Sequence, residues 1–211
     1  MQLLGLLTLK RANGFLLPKL SSSTTLGTGI EWPYFLMLGP SRDLTVTPFV
    51  TTDAARSVTL RYRQAFAKGD VSFTTAMSRD KQTGGLRGYV FTDGSFALPY
   101  SFGLTFHGEI VTDPSYLADY DISEADRLTS YVAVTRVRRE ELVFGTLRGI
   151  KSLRSDENDS STPSLVGDAL WQRRFSGFGG MGNLRFASHG HLRSSTSEFD
   201  ADGDTVPDGR D

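Results

Sequence analysis

The 211-residue chain has no cysteine, which excludes a disulfide framework and any thiolate metal site. No run of about 18 apolar residues exists, so no transmembrane helix is expected. Barrel strands need only about 10 residues, and their signal is alternation rather than hydrophobicity. Net charge is scarce too: at −1 the chain has no global field to steer it to nucleic acid. No long stretch repeats its apolar residues at helical spacing, which argues against a bundle. Hydrophobic content is 38%, below the usual globular fraction. Gly-x-Ser-x-Gly and His-Glu-x-x-His are missing, and no nucleophile, base and orienter can be assembled. The expectation is therefore a non-enzyme without a cofactor. Met1 to Leu7 is apolar but lacks a basic leader and an Ala-x-Ala-like exit, so it does not read as a signal peptide.

What is present is glycine, at 22 residues, and period-2 alternation. From Ser57 to Phe66, Val58, Leu60, Tyr62 and Phe66 take one face and Thr59, Arg61 and Arg63 the other. Asp43 to Thr51 sets Leu44, Val46 and Val50 against Thr45, Thr47 and Thr51. About eleven strands are expected, at 13–20, 26–37, 43–52, 57–66, 70–79, 85–92, 96–111, 127–138, 141–153, 164–175 and 182–193. Turns are expected at Gly39–Arg42, Ala67–Gly69, Asp93–Ser95, Arg139–Glu140 and Ser176–Met181. Long polar connections fall at 112–126, 155–163 and 194–211. Short turns at one end and long loops at the other fit an outer-membrane barrel, whose long loops face outside the cell. Strands of 10 to 13 residues exceed the usual length in soluble sheets. A soluble β-sandwich shares the alternation, so pattern alone leaves both architectures open.

Two prolines interrupt this pattern near the start, Pro18 and Pro33, fifteen residues apart. Proline cannot donate to a β-ladder, so a strand that carries one is normally an edge or a weak seam.

Several segments together resemble the lipopolysaccharide-assembly outer-membrane proteins of the LptD family. They are Lys10-Arg11-Ala12-Asn13-Gly14-Phe15-Leu16-Leu17-Pro18, Pro33-Tyr34-Phe35, Asp43-Leu44-Thr45-Val46-Thr47-Pro48 and Arg61-Tyr62-Arg63-Gln64 with Gly69. Arg87-Gly88, Asp113-Pro114-Ser115-Tyr116-Leu117, Asp121 and Asp126-Arg127-Leu128-Thr129-Ser130 follow in order. The likeness is greatest to the alphaproteobacterial members. Asn13 stands where the family usually has serine.

The resemblance implies an all-β fold of antiparallel transmembrane strands, about eleven of a barrel of about twenty-six. Residues 1–211 would be the first part of that barrel domain, without the preceding periplasmic jelly-roll domain and the closing half, and 194–211 an extracellular loop. Implied partners are lipopolysaccharide, an LptE-type lipoprotein plug, periplasmic lipopolysaccharide-bridge proteins and the outer membrane. The implied activity is insertion of lipopolysaccharide into the outer leaflet through a lateral gate near the first strands. A porin or receptor barrel, and a soluble carbohydrate-binding β-sandwich, are the alternative functions.

Candidate site residues follow. Pro18 and Pro33 are the lateral-gate pair. Arg61, Arg63, Arg87, Arg136, Arg138, Arg148 and Arg185 are lumen-facing candidates, either solvated lining or contacts for lipid phosphates. Asp200, Asp202, Asp204, Asp208 and Asp211 alternate around a glycine in the manner of a weak calcium loop, without the glutamate that closes an EF-hand. His189 and His191 share a strand face but have no third ligand nearby, and His107 stands alone.

Overall fold

The computed structural model describes residues 12–23, 27–52, 56–79, 85–154, 163–177 and 179–193. They form one antiparallel sheet: β1 (Gly14–Phe15), β2 (Lys19–Ser23), β3 (Gly27–Glu31), β4 (Tyr34–Gly39), β5 (Arg42–Thr51), β6 (Arg56–Phe66) and β7 (Gly69–Arg79). It continues with β8 (Leu86–Leu98), β9 (Phe102–Val111), β10 (Arg127–Arg138), β11 (Glu141–Ser152), β12 (Pro163–Gly177) and β13 (Gly180–Arg193). The fold is all-β, and each long strand pairs with its sequence neighbours. β1 with β2, and β3 with β4, are halves of two long strands broken at prolines, which reconciles thirteen segments with eleven traverses. Among the described residues β13 pairs only with β12, so the sheet is open.

Strict register fixes what each face carries. One row runs Asp43, Arg63, Ser72, Asp93, His107, Tyr131, Arg148 across β5 to β11. The neighbouring row on the opposite face runs Leu44, Tyr62, Phe73, Thr92, Gly108. The second face is where the exposed large apolar residues gather: Val58, Met77, Val90, Ile110, Val132, Leu147 and Phe186. The buried polar residues Asp43, Ser57, Ser78, Arg87 and Thr146 lie on the first. The bare face is thus largely apolar, while the opposite face carries the buried polar residues together with a small apolar cluster under the 112–126 connection.

The connection at 112–126 is where the polar face is covered. It holds the short helix α1 (Tyr116–Asp119), and its Tyr116 and Leu117 are fully buried against Ala76, Tyr89, Val111 and Leu128.

One turn differs from expectation. Asp93-Gly94-Ser95 reads as a hairpin turn, yet β8 runs straight through it. The turn is at Pro99–Ser101, where Tyr100 and Ser101 adopt φ of 61° and 65°. Cross-strand partners hold the strand: Asp93 bonds His107, Ser95 bonds Asp70, and the Phe106 ring lies over Gly94. A Cβ at Gly94 would come within 2.3 Å of that ring, so here glycine serves close packing rather than a turn.

Candidate functional site

The first strands carry the seam. Between the pairs Phe15–Tyr34 and Lys19–Glu31, three residues, 16–18, face two, 32–33, so the ladder breaks in a bulge. The Leu16 amide donates to the Pro33 carbonyl at 2.8 Å, and the Trp32 amide to the Pro48 carbonyl at 3.2 Å. In an antiparallel pair such bonds come in reciprocal twos. Pro33 and Pro48 have no N–H to return, so each junction keeps half its pair. Pro48, inside β5, is therefore a third member of the seam, one register step from Pro33. Its signal was in the sequence: 18, 33 and 48 repeat the same fifteen-residue spacing.

The seven arginines divide. Arg61, Arg63, Arg87, Arg148 and Arg185 share the polar face. Arg63 makes a two-point contact with buried Asp43, at 2.9 and 3.1 Å, and Arg148 meets Asp168 at 3.4 Å. Arg136 and Arg138 lie on the apolar face. Arg136 stacks over Phe102 at 4.4 Å and bonds Glu141, which also accepts from the Trp171 indole N–H at 3.0 Å. Alternation in β10 puts Val132 and Val134 on the same side as these arginines, which the charges alone did not reveal.

Arg87 is the most constrained of the seven. Its buried guanidinium donates to Asp113, Asp119 and Ser115, all at 2.5–2.9 Å, and stands 5.3 Å from the centre of the Tyr116 ring. Tyr116 Oη meets Ser78, which meets Ser57. These bonds clamp the 112–126 connection onto the polar face. The Arg87 guanidinium holds the Asp113 carboxyl below the usual carboxylate range, while burial pushes the Tyr116 hydroxyl up. Because the Asp113 pKa is depressed on folding, its contribution is complete above the ordinary aspartate value and fades as pH falls through the depressed one.

Arg87→Ala should release the clamp. A hydrogen bond to a charged group contributes about 1.5–3 kcal/mol, less where the carboxylates are partly exposed, so amide exchange at Tyr120 and Ile122 should quicken by about tenfold. Exchange in β6 and β7 should not change. Hydrogen-exchange mass spectrometry reads both regions, and acidification of the unsubstituted protein should loosen the same segment.

A cavity of about 320 Å³ lies between this clamped segment and the proline-bearing strands. Lys19 and Glu31 line it from the seam side, Thr47 and Thr59 from the sheet, Tyr120 and Asp121 from the clamped segment. A Cβ on Gly29 would meet the Phe49 ring at 2.4 Å, so the seam strand reaches this close approach only through glycine.

His107 sits between Asp93 and Glu109 on the polar face, and His189 contacts Asp168. His191 follows on the same face. No group of three or more metal-ligating side chains gathers among the described residues. Asp200, Asp202, Asp204, Asp208 and Asp211 lie outside the described residues, as does the 194–211 connection.

Fold and faces together define an open, two-faced antiparallel sheet of barrel type. No family model matches the chain. Over 115 residues it is 30% identical to the LPS-assembly protein LptD of Chromobacterium violaceum. The match covers 52% of this chain but 14% of that protein, so the chain spans a small part of this relative's length.

Proposed function

We propose that the chain is part of an outer-membrane β-barrel that delivers lipopolysaccharide to the outer leaflet. The observation that carries this is the pairing of the LPS-assembly likeness with a two-faced sheet, one face bare and largely apolar, the other carrying the buried polar residues and most of the arginines. On this reading the apolar face meets lipid, and the polar face lines a lumen containing Arg61, Arg63, Arg87, Arg148 and Arg185. Pro18 and Pro33 mark a lateral gate, with Pro48 behind them. An LptE-type lipoprotein plug and periplasmic bridge proteins are the partners, and the remaining strands close the barrel. The open edges of β13 and of the first strand favour that closure, since long unpaired edges otherwise invite aggregation.

Polar side chains at both ends of the apolar face support the membrane reading. Arg56 and Arg79 bound it at the long-loop end, and Arg42 and Gln64 at the short-turn end. The eight-residue rise from Arg56 to Gln64 is about 26 Å along the strand, or about 20 Å along the membrane normal at a tilt near 40°, close to the apolar band of outer-membrane barrels. A photo-crosslinking amino acid at Thr59 should capture lipopolysaccharide in living cells, and no capture there would remove the lipopolysaccharide reading. A stable monomer in plain buffer without detergent would remove the membrane reading.

A further inference from the structure

The apolar face is not uniform at its short-turn border. There β10, β11 and β12 bring Arg138, Glu141 and Arg173 into one cross-strand row, since Arg138 pairs with Glu141 and Glu141 with Arg173. Arg136 joins from the next row. Three arginines thus share this corner with one glutamate, leaving two positive charges in excess. Glu141 is already committed to Arg136 and Trp171. Arg138 uses one N–H on the Tyr100 carbonyl at 2.7 Å, and the Arg173 guanidinium, drawn to Glu141 by charge alone, makes no hydrogen bond among the described residues. Both are exposed. Around them the same face carries Phe102, Trp171, Phe175 and Phe186, with Trp171 stacked on Phe186 at 5.8 Å. Exposed guanidinium groups set in an aromatic border have the chemistry of a membrane-interface contact: rings at headgroup level, and forked donors for a phosphate.

We propose that Arg138 and Arg173 bind the phosphate of an anionic phospholipid headgroup in the leaflet on the short-turn side. Glu141, held by Arg136 and Trp171, is a positioning residue on β11 that keeps apart the two arginines, which stand on the strands to either side of it. This inference rests on the reading that the apolar face meets lipid. It adds a preference for headgroup charge at one border, which that reading does not require.

The chain contains two tryptophans, Trp32 and Trp171, so Trp32→Phe leaves Trp171 as a reporter at the site itself. The W32F chain is reconstituted into phosphatidylcholine vesicles holding a minor fraction of phosphatidylglycerol, with bromine on the acyl chains of one lipid or the other. Brominated phosphatidylglycerol should quench Trp171 more strongly, mole for mole, by about fivefold, the enrichment expected from a basic residue at an anionic surface. In R138Q/R173Q the two lipids should quench alike, while overall quenching and the circular dichroism spectrum of the sheet stay unchanged. R138K/R173K should restore part of the preference, since lysine keeps the charge but loses the fork.

Equal quenching in the W32F parent, or a preference that survives R138Q/R173Q, would overturn the headgroup site and leave the membrane reading standing. No quenching by either lipid would overturn both. Inorganic phosphate at constant ionic strength distinguishes a free anion from a lipid. A preference that persists in its presence supports the lipid, and one that it abolishes overturns the assignment.

Discussion

Arginine in place of Leu60 is expected to destabilise the sheet in a bilayer by about 2–4 kcal/mol, whereas Thr59→Lys should change stability little. The two residues are adjacent in β6 and differ in face. Leu60 lies in a row with Val46 and Thr75 on the bare apolar side, midway between Arg56 and Gln64. A guanidinium there would sit near the centre of the apolar band, too far from either border for its stem to reach headgroups. Thr59 lies opposite Thr47 and Ala76 and faces the polar cavity, where an ammonium can remain hydrated near Glu31. Equilibrium unfolding of the two variants in lipid vesicles measures the difference. Equal costs at both positions would show that β6 does not border a membrane.

The all-β architecture was legible because β-strand period is rigid: Val58, Leu60 and Tyr62 against Thr59, Arg61 and Arg63 admits one assignment of faces, and the register keeps it. Arg136 and Arg138 were not legible in the same way. An arginine on a membrane-type strand suggests a lumen, but at a strand end the apolar face also reaches water, and a cation can lie over Phe102 there. The turn at Pro99–Ser101 was hidden because Asp93-Gly94-Ser95 has stronger turn chemistry. Tertiary partners outweighed it: His107 and Asp70 satisfy the polar side chains, and Phe106 covers the glycine. The clamp on Arg87 was half legible. Asp113, Ser115 and Tyr116 stood out as a segment of the family likeness, but nothing in a linear pattern said that a long polar connection would fold back to bury Tyr116 completely. Pro48 was missed, although the fifteen-residue spacing pointed to it, and its place in the seam needed the Trp32 contact to be seen.

Replacing Pro18 and Pro33 together with alanine should leave folding and membrane insertion intact and lower lipopolysaccharide delivery. At Pro33 the argument is geometric. Leu16 already donates to its carbonyl, so an alanine N–H would face the first strand and could complete the reciprocal pair. At Pro18 the substitution frees the bulge of residues 16–18 to straighten, since the residue before a proline is restricted as well. Two recovered ladder bonds amount to about 1–3 kcal/mol, enough to slow an opening that must admit a lipid with a bulky sugar headgroup. Pro48→Ala provides the internal comparison. It would restore a bond between β5 and Trp32, one strand further from the edge, and should impair delivery less if opening occurs at the edge itself. The readout is lipopolysaccharide at the cell surface, normalised to folded barrel in the outer membrane of cells carrying the longer protein. Normal delivery at normal barrel levels would reduce these prolines to strand-end residues and remove the lateral gate. A defect as large for P48A as for the double variant would move the moving part inward, to a crease across all three strands rather than a parting at the first.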